Sequence, residues 1–385
     1  RCGYIIMMHG QNSGGRRLMG KLWQVNWVLV LLIVLLALVG FAMLYSAANG
    51  NLSPWASRQM AIFAVGLVVM LAIGLVDIRF WLRHAYWPYG LTLAMLAGVE
   101  ILGKSKGGAR RWLDLEIFQL QPSEFVKFTL VLALARYFHR LNFDDIGRPQ
   151  FLLVPLFLIA LPVVLVQRQP DLGTALFMLL GGAAIFFIAG VRLWKFAVVA
   201  LAIMVAVPVV WPMLKDYQQE RVLTFLSPER DPGDKGYQIL QSKIALGSGG
   251  TFGRGFMKGT QSHLNFLPER QTDFIFTMLA EEFGLFGGLG LLGLYAMLLA
   301  YGIAIAMRST SQFGRLLAMG VTIMVFLYVF INIAMVMGML PVVGLPLPLI
   351  SRGGTAMLAV LGGFGLVISV YVHRDARIGR HGEDG

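Results

Sequence analysis

The chain has 385 residues, 57% of them hydrophobic and 14% charged, with a mean hydropathy of +0.71. One soluble core of this size cannot hide so much apolar surface, so composition excludes a soluble globular protein and gives an all-α polytopic membrane protein. The single Cys2 excludes a disulfide framework, the scattered histidines argue against a histidine metal site, and the net charge of +12 points to lipid phosphates before nucleic acid.

Residues 1–22 read as a cytoplasmic N-terminal tail; the first long apolar run is too long for a signal-peptide core, so no cleavable leader is expected. A bilayer crossing needs roughly 17–25 apolar residues. About ten such windows follow, near 24–46, 59–76, 85–103, 122–138, 151–167, 171–190, 193–213, 283–306, 316–339 and 353–372. They make residues 23–373 a membrane domain, closed by a cytoplasmic tail over 374–385. Short-loop basic residues, among them Arg16, Arg17, Arg79, Arg83, Arg140, Arg192, Arg308 and Arg315, fall on one side if the N-terminus is inside.

Two segments run against that rule. The third-to-fourth connection carries Lys104, Lys106, Arg110 and Arg111 on the outer side. The long segment 214–271, a large extracytoplasmic loop between spans seven and eight, adds Arg221, Lys243, Arg254, Lys258 and others. Long loops translocate whatever their charge, so these are either solvated loop charges or an outward basic surface for an anionic ligand.

Between the two segments, QPSEFVK (121–127) starts a helix at Pro122 and places Glu124 and Lys127 at i, i+3. Ionisable groups just inside a span tend to line a cavity, against the alternative of a simple intrahelical ion pair. QPDLGT (169–174) puts Asp171 in the same position before span six.

The glycine run GSGGTFGRGFMKGTQS (247–262) fits neither the P-loop nor the dinucleotide pattern. Its backbone beside Arg254 and Lys258 is a place where a lipid diphosphate could approach. In LPERQTDFIF (267–276), Asp273 is either a first-turn acid near a Thr272 cap or a general base. Asp273, Thr277 and Glu281 share an i, i+4, i+8 stripe, which predicts a short boundary helix over 272–282 whose acid faces a cavity, with the raised pKa a base requires. Asn332, in mid-span, reads as a helix–helix hydrogen bond. The proline- and glycine-rich LPVVGLPLPLISRGGT (340–355) reads as a re-entrant or irregular segment, with Arg352 as a further outer cation.

Taken together, GGARRWL, QPSEFVK, QPDLGT, YQQERVLTFLSPERDP, GYQILQSKIALGSGG, LPERQTDFIF, LAEEFGLFGG and LPVVGLPLPLISRGG, in that order along the chain, resemble the SEDS proteins of bacterial shape, elongation, division and sporulation. GTQSHLNFLPER (259–270) is similar to the elongation branch of that family more than to its division branch. The resemblance implies a ten-span peptidoglycan glycosyltransferase of the bacterial inner membrane, polymerising lipid II onto a growing glycan strand on the periplasmic side beside a class B penicillin-binding protein. It implies that Asp273 is the essential acid, with Glu124 and Lys127 beside the same cavity. The expected reaction is direct displacement: Asp273 takes the acceptor hydroxyl proton, and undecaprenyl diphosphate leaves against Arg111, Lys127, Arg221 and Lys243. Arg110, Asp171, Arg254, Lys258, Glu281 and Arg352 complete the expected substrate surface. No organic cofactor is expected. A divalent cation, Mg2+ or Mn2+, has room in this scheme, with Asp273 and Glu124 as its ligands. Gln271 stands where the family commonly has His, and Arg352 where it commonly has Tyr. The rival reading is a lipid II flippase, which should carry polar residues at mid-depth in several spans; a non-catalytic scaffold is a third.

Overall fold

The structure is a computed structural model and describes residues 20–106, 109–114, 119–142, 144–214, 216–227, 235–263, 266–267, 269–376 and 378–379. Its helices follow the predicted windows closely. They are α1 (Trp27–Ala47), α2 (Ala56–Leu75), the short α3 (Ile78–His84), α4 (Tyr86–Leu102), α5 (Pro122–Arg140), α6 (Pro149–Arg168), α7 (Leu172–Ala189) and α8 (Leu193–Val210). After them come α9 (Asp216–Leu226), α10 (Lys235–Ser248), the four-residue α11 (Thr260–His263), α12 (Ile275–Arg308), α13 (Gln312–Val336) and α14 (Gly354–Val372).

Among the described residues eight helices are long and apolar enough to cross a membrane: α1, α2, α6, α7, α8, α12, α13 and α14. The windows expected for spans three and four form α4, of 17 residues, and α5, which carries Glu124, Lys127, Arg136 and Arg140. Asp77, with its side chain accepting from Arg79 N, caps α3 and separates it from α2. That small break lies inside what reads as one polar connection. Between α4 and α5 the chain adds an antiparallel sheet in the order β1 (Lys104–Lys106), β2 (Ala109–Asp114), β3 (Gln119–Leu120). No periodic pattern in the sequence marks this sheet, because its strands are only two to six residues long.

The core is a helix-on-helix packing with α13 at its centre, in contact with α5, α7, α12 and α14. Its window is 67% buried, whereas α8 has no buried residue and stands at the rim. In lipid the apolar effect does not drive helices together, so close contact has to come from shape and small residues. At the start of α7, a Cβ on Gly173 would lie 2.5 Å from the Val343 carbonyl oxygen. Glycine there lets α7 abut the proline-rich connection between α13 and α14.

Candidate active site

Asp273 lies in a turn just before α12, not on the helix. The helix starts after Phe274, which has no side-chain cap bond. Thr272 does not cap it: its hydroxyl donates to the Glu269 carbonyl and carboxylate at 3.2 and 2.8 Å. The predicted stripe from Asp273 to Glu281 is therefore interrupted at its first member.

Three successive carbonyls of this turn are held, two by the connection 340–353 and the third by Asn332 of α13. Arg352 N donates to Gln271 O at 2.8 Å, the Ser351 hydroxyl donates to Thr272 O, and Asn332 Nδ2 donates to Asp273 O at 2.9 Å. The same Asn332 nitrogen bonds Leu345 O at 2.8 Å, so one buried amide ties turn and connection together. Asn332 thus holds the acid's backbone, not a neighbouring span as expected. A Cβ on Gly344, at φ +75°, would stand 3.6 Å from Asp273 Oδ2, so the carboxylate lies directly against this left-handed glycine.

Asp273 is partly buried. Burial first, then the negative charges of Glu269 and Asp171, push its carboxyl up to about 7. All three causes penalise the anion, and a carboxylate with that value is protonated and deprotonated near neutrality, as a general base requires.

Glu124 and Lys127 form a buried ion pair, with Nζ 2.8 Å from Glu124 Oε1. Both also bond the Tyr328 hydroxyl, which receives from Lys127 Nζ and donates to Glu124 Oε2. Lys127 is 0% exposed, and its ammonium lies over the rings of Phe177 and Tyr328 at 4.9 and 4.6 Å. Every part of the pair is engaged by protein. Tyr328 and Asn332 are four residues apart on α13 and so share a face. The ion pair grips one end of that face while Asn332 holds Asp273 from the other, which links QPSEFVK to the acid through α13.

Asp171 caps α7, accepting from Thr174 N at 3.2 Å, and sits 3.6 Å from Arg111. Arg111 also donates to the carbonyls of Gln169 (3.2 Å) and Pro170. It fastens β2 to the α6–α7 turn beside the acid cluster.

The glycine run has a different role from a phosphate cradle. At Gly284 (φ 68°, ψ −160°) α12 breaks, close to where the eighth span is expected to begin. The carbonyls of Glu281 and Glu282 lose their helical partners and accept instead from Arg254 N (3.0 Å) and Gly255 N (2.9 Å). In exchange, Leu285 N and Phe286 N donate to Gly250 O (2.9 Å) and Thr251 O (3.2 Å). The run is a backbone clasp that repairs the broken helix, which irregular backbone beside a membrane demands. A Cβ on Gly253 would lie 2.1 Å from Glu282 O, hence glycine. The amides of Arg254 and Gly255 are thus spoken for.

Glu281, fully buried, accepts from Gln261 N at 2.8 Å and from the Thr260 hydroxyl at 3.3 Å. It anchors the 259–261 backbone and does not share a face with Asp273. Thr277 bonds Ser242 at 2.8 Å and ties α12 to α10. Arg254 and Lys258 are exposed on the clasp, Arg254 bonding Thr260 Oγ1 at 2.7 Å. Lys243 is exposed on α10, its stem lying against Gly338. Arg352 is exposed beside the Asp273 turn. The side chains of Arg110 and Arg221 lie outside the described residues. Among the described residues no three His, Cys, Asp or Glu converge as a metal-ligand set; Glu124 is engaged by Lys127 and Tyr328, and the acids acting on Asp273 are Glu269 and Asp171. Tyr328 and Ser351 escaped sequence reasoning; the i, i+4 pair of polar groups at 328 and 332 inside an apolar span was the available signal.

Comparison with known proteins follows the same lines. Residues 23–376 match the family profile for FtsW, RodA and SpoVE, described as cell cycle protein. Peptidoglycan glycosyltransferase MrdB of Escherichia coli K12 is 44% identical over 349 residues, covering 90% of this chain and 93% of that protein. The probable peptidoglycan glycosyltransferase FtsW of Marinobacter nauticus is 34% identical, covering 91% and 90%. The crystal structure of Thermus thermophilus rod shape determining protein RodA matches with a TM-score of 0.69 at 31% identity, over 91% of this chain and 97% of that one. A chain from a study of polymerization and crosslinking by a peptidoglycan synthase complex matches with a TM-score of 0.80 at 36% identity, over 91% and 98%.

Proposed function

The chain belongs to the cell cycle protein family of FtsW, RodA and SpoVE, and from that premise we propose that it is a peptidoglycan glycosyltransferase of the elongation branch, with Asp273 as its general base. The observation that carries the assignment of the base is the held turn: an acid at about 7, its backbone fixed by Asn332 and its neighbours by Ser351 and Arg352. The elongation branch is supported by the 44% identity to the E. coli MrdB enzyme, against 34% for the FtsW relative.

In this reading the protein is a ten-span inner-membrane enzyme with both termini in the cytoplasm and Asp273 at the periplasmic boundary. The substrate is lipid II. Asp273 removes the proton from the acceptor sugar's hydroxyl, and the oxygen attacks the donor's anomeric carbon. The bond to the undecaprenyl diphosphate breaks, and that anion stays in the bilayer by its polyprenyl tail. Cations near the turn meet the departing charge: the exposed Arg352, whose backbone amide is bonded to Gln271 O, and the half-buried Arg111, held against Asp171. Glu124 and Lys127 act as positioning residues through Tyr328. No step is assigned to a metal ion. A class B penicillin-binding protein is the proposed partner, supported by the synthase-complex neighbour.

The test is polymerisation of lipid II by purified protein with its partner in detergent, where there is no membrane to cross. Glycan strands formed by wild type and lost in Asp273→Ala are expected. No strands from an active complex would overturn the assignment and favour a flippase; strands from Asp273→Ala would overturn the role of the acid.

A further inference from the structure

The far end of α12, 34 residues in length, carries a feature that glycosyl transfer does not use. A cavity of about 330 Å³ opens there between the start of α1 and the ends of α12 and α14. Ala300, Ala304 and Arg308 lie at i, i+4, i+8, one stripe along its wall, and Tyr301, Tyr371 and Asn26 complete the rim. The small alanines leave a trough about 12 Å long at 1.5 Å rise per residue, ending on a cation. Arg308 is exposed, and no carboxylate among the described residues pairs with it. A second cation, Arg374, stacks on the Tyr371 ring at 4.9 Å and pairs with Asp375 at 3.8 Å. Trp23 and Trp27, 83% and 51% exposed, mark the membrane–water boundary at this end of the bundle.

We propose that this groove binds an anionic phospholipid, its phosphate on Arg308 between Tyr301 and Tyr371 and one acyl chain along Ala300 and Ala304. The arrangement matches the ligand at both ends. A guanidinium fork and tyrosine hydroxyls suit a phosphate at headgroup depth, and a shallow apolar trough suits a methylene chain and excludes a peptide helix. A zwitterionic lipid offers the same phosphate but brings its own cation towards Arg308 and Arg374.

Native mass spectrometry of the full chain, released from detergent after exchange with phosphatidylglycerol or phosphatidylcholine of matched acyl chains, tests the assignment. Wild type is expected to retain phosphatidylglycerol about tenfold more than phosphatidylcholine. Arg308→Gln should abolish that preference, and Ala304→Leu should lower retention of both lipids by filling the trough. Arg315→Gln, at the same end of the bundle on α13 but outside the groove, should change neither. Equal retention of the two lipids by wild type, or an undiminished preference in Arg308→Gln, would overturn the proposal. Displacement of phosphatidylglycerol by excess inorganic phosphate alone would overturn it too, by showing a free-anion site.

Discussion

Neutralising the Glu124–Lys127 pair one residue at a time separates a positioning role from a chemical one. In Lys127→Met the carboxylate of Glu124, 3% exposed, keeps only the Tyr328 hydroxyl as partner. In Glu124→Gln the ammonium of Lys127, 0% exposed, loses its counter-charge and keeps only a neutral amide, the tyrosine and the two aromatic faces. Breaking a buried pair costs about 3–5 kcal/mol because the remaining charge is uncompensated, whereas replacing both partners with neutral groups of similar shape is often nearly neutral. The double variant should therefore be more stable than either single one, a coupling of several kcal/mol. Thermal unfolding of purified protein followed by tryptophan fluorescence measures the stability, and lipid II polymerisation measures the function. Both singles should lose stability and strand synthesis together, and the double should regain most of both, since Tyr328 and α13 are again held. A double variant that is stable yet inactive would refute the argument, because it would put Glu124 or Lys127 in contact with the reacting groups.

Asn332→Leu removes the donor to Asp273 O and Leu345 O; kcat should fall roughly 10–100-fold with little change in lipid II KM, as expected when an acid is held slightly out of place, and steady-state kinetics would show it. Gly253→Ala, at φ +79° with its new Cβ against the Glu282 carbonyl, should open the clasp and cost several kcal/mol by thermal unfolding, unlike Gly247→Ala, where nothing lies within 4 Å. Asp273→Asn should stabilise the fold more at pH 8 than at pH 4. The native carboxyl at about 7 sits above its ordinary 3.8, so the native state holds the proton that the unfolded chain has lost, and stability falls as pH rises through that window. Melting curves across pH that run parallel for wild type and variant would contradict the raised value.

The apolar windows were legible because a bilayer demands long apolar runs: each meets a helix, eight of those helices are long and apolar enough to cross a membrane among the described residues, and the helix expected from 283 begins at Ile275. The break at Gly284 was legible in outline too, since a polar-striped boundary piece over 272–282 was expected to give way there to the apolar run of span eight. What the glycine run does was not legible. Its glycines beside Arg254 and Lys258 suggest an approach for a lipid diphosphate, and only the exchange of backbone partners with residues 281–286 shows that the amides of Arg254 and Gly255 are already bonded. Asp273 stood out as an acid at a helix start, but its fixation depends on Asn332, 59 residues away, and on Ser351, which lies 79 residues from the Thr272 it bonds. No local periodicity encodes such contacts. Thr272 and Glu281 illustrate the converse: good local patterns, a cap and a stripe, yielded to a competing turn bond with Glu269 three residues back and to a long-range bond with Gln261.

The most direct measurement of the central claim is the pH dependence of kcat/KM for lipid II polymerisation by the wild-type complex, with Asp273→Asn beside it. With Asp273 as the base, the wild-type rate rises with pH through an inflection near 7, and the Asn variant stays at background throughout. A wild-type rate that is flat from pH 5 to 9, or an Asn variant that keeps the same inflection, would contradict it.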